Sequence, residues 1–418
     1  MFKMPNSRAS LMATMLAIPF AGIAALTLPL DAIAQAQTGG WHKETADRVK
    51  AAQEAGNKGN FSEAIRVLKE AKVKGPLPLS PQEEQAVNEY LIYAASSAKD
   101  YKLVLETVDE RLATGRVTGA DLVRKLRLKA TTLYATGDYR GAVAAFNKLI
   151  ATQGSATADD LIQLGNAQLV LRDFRAAIPT LEKAVVAAQK AGKPAATVGK
   201  LLEGLNSSYN ETKNDAKRLE TLQRLMAVTP KASVFSQLAS VYEVKSKKDP
   251  VVMINIYRLG ASRGLLSSQH YAKYAELALD LASPGEAVAM IEKGMAGGAI
   301  KKDDRNSRLL ADAKSQVDRL KGSLAQLERE TLATKNGEAE AKLAIAYFTL
   351  KNYAKATEAG KRGIDEGKLR RPDDLNMLLG IALMESKKPA EARNAFKAAA
   401  EANEKIRGVA DLWSSIGI

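Results

Sequence analysis

Apolar residues recur along this chain with the three- and four-residue spacing of helix faces, and the faces come in consecutive pairs. One stretch sets the pattern. Leu161, Leu164 and Gly165 share a face of a first helix, and Ala177, Leu181 and Ala184 share a face of a second. Phe235, Leu238, Ala239 and Tyr242 repeat the first helix. So do Tyr271, Tyr274, Ala275 and Ala278, whose second helix carries Ala287 and Ile291. Leu343, Ala344 and Tyr347 followed by Ala356 form another unit, and Leu379, Gly380 and Leu383 followed by Ala392, Phe396 and Ala399 form the last. The chemistry is steric. Two antiparallel helices approach closely only where one presents Gly or Ala, and a bulky residue of the neighbour fills the space left.

The polar positions between the helices carry a second rhythm. Gly59-Asn60-Phe61, Lys99-Asp100-Tyr101, Gly137-Asp138-Tyr139, Arg172-Asp173-Phe174 and Lys351-Asn352-Tyr353 are versions of one signal. A small or basic residue ends one helix, an Asn or Asp caps the next, and an aromatic opens it. Three residues after each aromatic stands Ala64, Val104, Ala142, Ala177 or Ala356. Ser283-Pro284-Gly285-Glu286 reads as a capping box with Pro at the first helical position, and Asp249-Pro250 as a simpler cap. Pro179 lies deeper and is expected to kink its helix.

With these residues in place the chain resembles a tetratricopeptide repeat (TPR) protein, whose helix pairs recur at about 34 residues. The fold expected is all-α: a right-handed superhelical solenoid of about ten antiparallel TPR-like pairs over residues 37–406, with no linker dividing them. Anchor spacings of 40, 38 and 35 residues from 64 to 177, and 36 from 356 to 392, imply longer loops than the family's. Gly75-Pro76-Leu77-Pro78-Leu79-Ser80-Pro81 is one such loop. Two units are degenerate: 199–230, where Leu202, Leu205 and Tyr209 surround Asn206 at the small position, and 303–335, which has Leu309, Leu310 and Ala313 but no second-helix anchor. Residues 407–418, with Leu412, Trp413 and Ile416, are expected to cap the last repeat.

Residues 1–36 read as a secretory signal peptide: Lys3 and Arg8, an apolar run from Leu11 to Leu30, then Ala32-Ile33-Ala34 and Ala34-Gln35-Ala36 as overlapping cleavage sites. An uncleaved anchor is the competing reading. Cleavage would leave a periplasmic protein beginning near Gln35 or Gln37, with no later transmembrane segment. The net charge of +14 becomes +13 without this segment. Because acids are interleaved, as in Lys301-Lys302-Asp303-Asp304-Arg305, the charge reads first as a solvated surface, and nucleic acid is disfavoured.

Chemistry is bounded by what is missing. There is no cysteine and only two histidines, so no disulfide, thiolate nucleophile or common metal constellation is expected; metal and cofactors are none. Gly260-Ala261-Ser262-Arg263-Gly264 matches a nucleophile elbow, but it ends a helical stretch rather than following a strand. Ser96-Ser97-Ala98-Lys99 matches S-x-x-K without its companion motifs, and His42 and His270 have no catalytic setting. No enzyme activity is expected, and no catalytic residue is assigned.

What remains is binding. Helix phase places Arg124, Arg127, Tyr134, Asn166, Lys200, Glu203, Glu243 and Glu276 on first-helix faces turned away from their partner helices, where a groove would take a polar extended or helical segment. The carboxylate clamp known for TPR domains is not matched: the relevant units offer Arg127, Thr131, Gln163 and Lys200. A second resemblance, around Pro230 to Tyr242 and from Asp374 to Trp413, is to periplasmic TPR proteins encoded beside TonB-type energy-transduction systems. That resemblance implies an accessory role in outer-membrane uptake through contact with other envelope proteins. The alternative is a polysaccharide-interacting module of exopolysaccharide or cell-wall assembly. It needs aromatic platforms, of which the groove positions supply only Tyr134.

Overall fold

The computed structural model describes residues 41–73 and 78–416, so the signal-peptide reading lies outside the described residues. Twenty helices follow one another, and no strand occurs among the described residues. They divide into two compact units at Asn214/Asp215. The boundary falls inside the loose repeat 199–230, where an undivided array was expected.

In unit 1 the helices are α1 (Lys43–Asn57), α2 (Phe61–Val73), α3 (Pro81–Ser97), α4 (Tyr101–Ala113), α5 (Gly119–Ala135), α6 (Tyr139–Gln153), α7 (Ala158–Val170), α8 (Phe174–Lys190) and α9 (Ala195–Glu211). They pack as consecutive hairpins, α1 with α2 through α7 with α8, and α9 covers the last. The turn signal works as its chemistry requires. Asp100, Asp138 and Asp173 accept from the backbone N–H three residues on, at 3.1, 2.9 and 3.1 Å. The preceding Lys99, Gly137 and Arg172 hold the left-handed conformation, at φ 59°, 84° and 58°. Ala64, Val104, Ala142 and Ala177 are fully buried where the helices cross. A β-carbon on Gly165 would come within 2.7 Å of Leu181, so the small position and its filler meet directly. Helix α8 continues through Pro179 without interruption.

Unit 2 holds α10 (Asp215–Val228), α11 (Ala232–Lys245), α12 (Pro250–Ser262), α13 (Ser268–Asp280), α14 (Pro284–Ala296), α15 (Asp304–Thr334), α16 (Gly337–Thr349), α17 (Tyr353–Glu366), α18 (Pro372–Glu385), α19 (Pro389–Ala402) and α20 (Glu404–Ile416). Hairpins α13–α14, α16–α17 and α18–α19 keep the pattern of unit 1, and Gly380 receives Phe396 as Gly165 receives Leu181.

Two readings change here. Residues 303–335 are not a degenerate pair but one uninterrupted helix of 31 residues, because nothing stronger than Gly322 stands in its interior to break it. The capping box at Ser283 also does not form. The Ser283 side chain accepts nothing from the helix; its hydroxyl donates to Glu286 at 2.7 Å, and Glu286 is drawn inward by Arg258.

Unit 2 also departs from an open solenoid. Ten consecutive residues of α12, Val251 to Gly260, are buried on every side. A helix at the second position of an ordinary hairpin keeps one face in water. Here α20 lies against α19 and also against α10 and α12. Trp413 stacks on Phe396 at 5.7 Å, and its indole N–H donates to the carbonyl of Asn255 at 3.0 Å. Gln223 of α10 donates to the carbonyl of Gly408 at 3.3 Å.

Among ten non-glycine residues with positive φ in the described chain, nine are Lys or Arg, most of them at turns that follow helices.

Candidate binding face

On α5, Arg124 is exposed, and among the described residues its guanidinium bonds to Asp121 on its own helix, at 3.0 Å. Arg127, one turn on, grips Asp160 of α7 with two parallel bonds of 3.0 Å and takes Gln153 of α6 at 2.8 Å. Asp160 is itself the third residue of a capping box with Thr157. Burial pushes its carboxyl up, but the bonds from Arg127 and Thr157 prevail and hold it below the ordinary range. Arg127, assigned to the groove by helix phase, therefore ties one hairpin to the next.

The other unit 1 positions are less committed. Tyr134 is half-buried and meets Tyr139 edge-on at 5.5 Å. Burial raises its phenol pKa most, and nearby Asn166 acts against that rise. Asn166 is 5% exposed, yet its Nδ2 finds no acceptor at hydrogen-bonding distance among the described residues. Lys200 and Glu203 lie one turn apart on α9, both half-exposed, and Lys200 pairs with no described residue. Glu243 and Glu276 belong to unit 2. Glu243 is bonded to Lys273 at 3.1 Å, and Glu276 is exposed. The structure thus brings Tyr134 and Asn166 together and engages Arg127 elsewhere.

Sequence reasoning missed the buried ion pairs. Lys125, 4% exposed at its side chain, holds Glu89 at 2.6 Å between α3 and α5. The available signal was spacing: Lys125 and Glu89 are 36 residues apart, and Arg127 and Asp160 are 33, about one repeat. In unit 2, Arg258 binds Glu286 through two bonds of 3.0 and 2.7 Å and lies 5.0 Å over the Phe348 ring. Tyr274 donates to the same carboxylate at 2.7 Å. Burial alone would raise the Glu286 pKa; the Arg258 charge beside it reverses the sign. A cavity of about 180 Å³ lies here, with Tyr274, Phe348, Tyr353, Ile381 and Trp413 in its walls. Arg258 and Glu286 satisfy one another, so they offer a ligand no net charge.

The motifs that resemble catalytic ones are helix furniture. Ser262 donates to the carbonyl of Leu259 at 2.9 Å at the end of α12. His270 accepts the Ser267 backbone N–H at 3.1 Å, packs against Phe235 and Tyr257, and has its pKa lowered by burial. Among the described residues no group of three or more His, Asp or Glu could hold a metal ion, and no helix is long and apolar enough to cross a membrane.

No family model matches the chain, and no curated protein matches it. Solved structures similar to it include the TPR2AB domain of yeast Sti1 in complex with pHsp90, at 14% identity and TM-score 0.25, covering 72% of this chain and all of that one. A tetratricopeptide repeat protein from Parabacteroides merdae is similar at 14% identity and TM-score 0.34, covering 65% and 100%. Naa15/Naa10 bound to HypK-THB is similar at 13% identity and TM-score 0.38, covering 89% and 63%. At TM-scores this low the likenesses add no argument of their own. The class rests on the molecule itself: an all-α array of TPR-like helix hairpins.

Proposed function

We infer that the chain is a non-enzymatic protein-binding scaffold that acts through the α5–α7–α9 face of unit 1. The observation that carries this is Tyr134: a half-buried aromatic beside the amide of Asn166. Such a ring offers a partner apolar area and a polar hydroxyl together, which is why tyrosine is enriched at protein interfaces. Lys200 on α9 pairs with no described residue, so its charge is available to a polar partner. The periplasm as its location is supported by the charged, apolar, Ala-x-Ala order of residues 1–36. The accessory role in TonB-linked uptake is supported by the second sequence resemblance, which makes envelope proteins the partners to look for.

A photo-crosslinker at Tyr134 or Lys200, introduced in the native host, is expected to capture a protein. One at Lys183, exposed on α8, is expected to capture less. If neither groove position returns a protein while the purified chain binds a glycan array tightly, the polysaccharide reading replaces this one.

A further inference from the structure

Unit 2 leaves its hairpin pattern again at α15, and the departure opens a trough within that unit. Helix α15 is on the order of 46 Å long, yet only Ala313 and Thr331 along it are buried. It is tied down at two places, Lys314 to Glu292 of α14 at 2.8 Å and Glu328 to Lys355 of α17 at 3.1 Å. Between the ties its apolar stripe, Val317, Leu320 and Leu324, is only half covered. A trough of about 360 Å³ lies there, between α14, α15 and the α16–α17 turn. Val288, Val317 and Leu350 give it apolar walls; Lys314, Lys321 and Lys351 stand around it against one acid, Asp318. The ammonium groups of Lys321 and Lys351 bond to no described residue.

We propose that this trough docks an acidic polypeptide segment, with apolar side chains against Val288, Val317 and Leu350 and carboxylates on Lys321 and Lys351. The walls select a chain over a small anion. Lys314 is already held by Glu292, so Lys321 and Lys351 are the cations left to a ligand. Val288, Val317 and Leu350 beside them offer apolar side chains a floor that a lone phosphate or carboxylate cannot use. The lysine stems widen the apolar floor while their ammonium groups stay in water.

The test is fluorescence anisotropy on the full chain with a fluorescein-labelled peptide of alternating Glu and Leu, and a Lys/Leu peptide as control. The Glu/Leu peptide is expected to bind, to weaken as salt is raised, and to lose affinity by about tenfold or more in K321E/K351E, since reversing two charges turns attraction into repulsion. Both lysines are exposed, so circular dichroism should show that variant folded; K321A/K351A serves if it is not. Equal binding of the Lys/Leu peptide, or unchanged affinity in both variants, would overturn the proposal. Binding to anionic phosphatidylglycerol vesicles with none to the peptide would overturn it as well. R124E/K200E, in unit 1, should leave this affinity unchanged, which separates the trough from the groove.

Discussion

The indole N–H of Trp413 donates to the carbonyl of Asn255, 158 residues earlier in the chain, at 3.0 Å. That bond joins the last helix of unit 2 to a helix near its start, and Trp413 is almost wholly buried in making it. Trp413→Ala should cost about 3–5 kcal/mol by leaving a large cavity. Trp413→Phe should cost less, about 0.5–1.5 kcal/mol for the lost hydrogen bond together with a smaller ring. Urea denaturation followed by far-ultraviolet circular dichroism measures both. An alanine variant as stable as the parent would mean that α20 does not close unit 2.

Ala142 and Ala177 sit fully buried at helix crossings. Leucine at either should destabilise unit 1 by roughly 1–3 kcal/mol through overpacking, and aspartate should do worse because its charge would be buried without a partner. The same denaturation experiment decides. Ala177→Asp behaving like wild type would rule out this crossing.

Gly285 and Gly322 predict opposite responses to one methyl group. A β-carbon on Gly285 would stand 2.0 Å from the carbonyl oxygen of Thr349, a backbone atom that cannot rotate away. Gly285→Ala should therefore force α14 and α16 apart and lower the melting temperature. Gly322, inside α15, has nothing within 4 Å, and alanine there should stabilise by up to about 1 kcal/mol. Calorimetry on the two variants side by side tests the crossing without a change of charge.

The Asp160 carboxyl is held below its ordinary value of 3.8, with Arg127 and Thr157 as the bonds that outweigh burial. A depressed folded-state pKa means the unfolded chain binds the proton more readily. The stability from this pair is complete above that ordinary value and is lost as pH falls through the folded one. Asp160→Asn should flatten that part of the acid limb of a stability–pH curve, and Arg127→Gln should flatten it less, because Thr157 still donates. An acid limb unchanged in Asp160→Asn would show that the ion pair is not formed.

The elements whose causes are local could be read from the sequence. An Asp or Asn after a basic or glycine residue makes its capping bond within three residues, so the turns at 100, 138, 173 and 352 needed no tertiary information. Small positions such as Gly165 were legible for the same reason. Helix phase gave the direction of Arg127 but not what the next hairpin places in front of it, so a hairpin tie was read as a groove cation. The repeat length predicts a pair over 303–335, whereas nothing stronger than Gly322 stands there to break one helix. The contact between Trp413 and Asn255 leaves no local trace in either segment.

The left-handed turns have a further consequence. A lysine or arginine in that conformation gives up about 1 kcal/mol relative to glycine, while its charge near a helix C-terminus recovers about 0.3–1 kcal/mol from the carbonyl dipoles. The two substitutions are thus nearly isoenergetic, and the chain takes the cation nine times against a net charge of +14. A homologue that took glycine at the same nine positions would keep the architecture and lose most of the net charge. Isoelectric point could then drift widely among solenoids of this kind while every helix stayed in register.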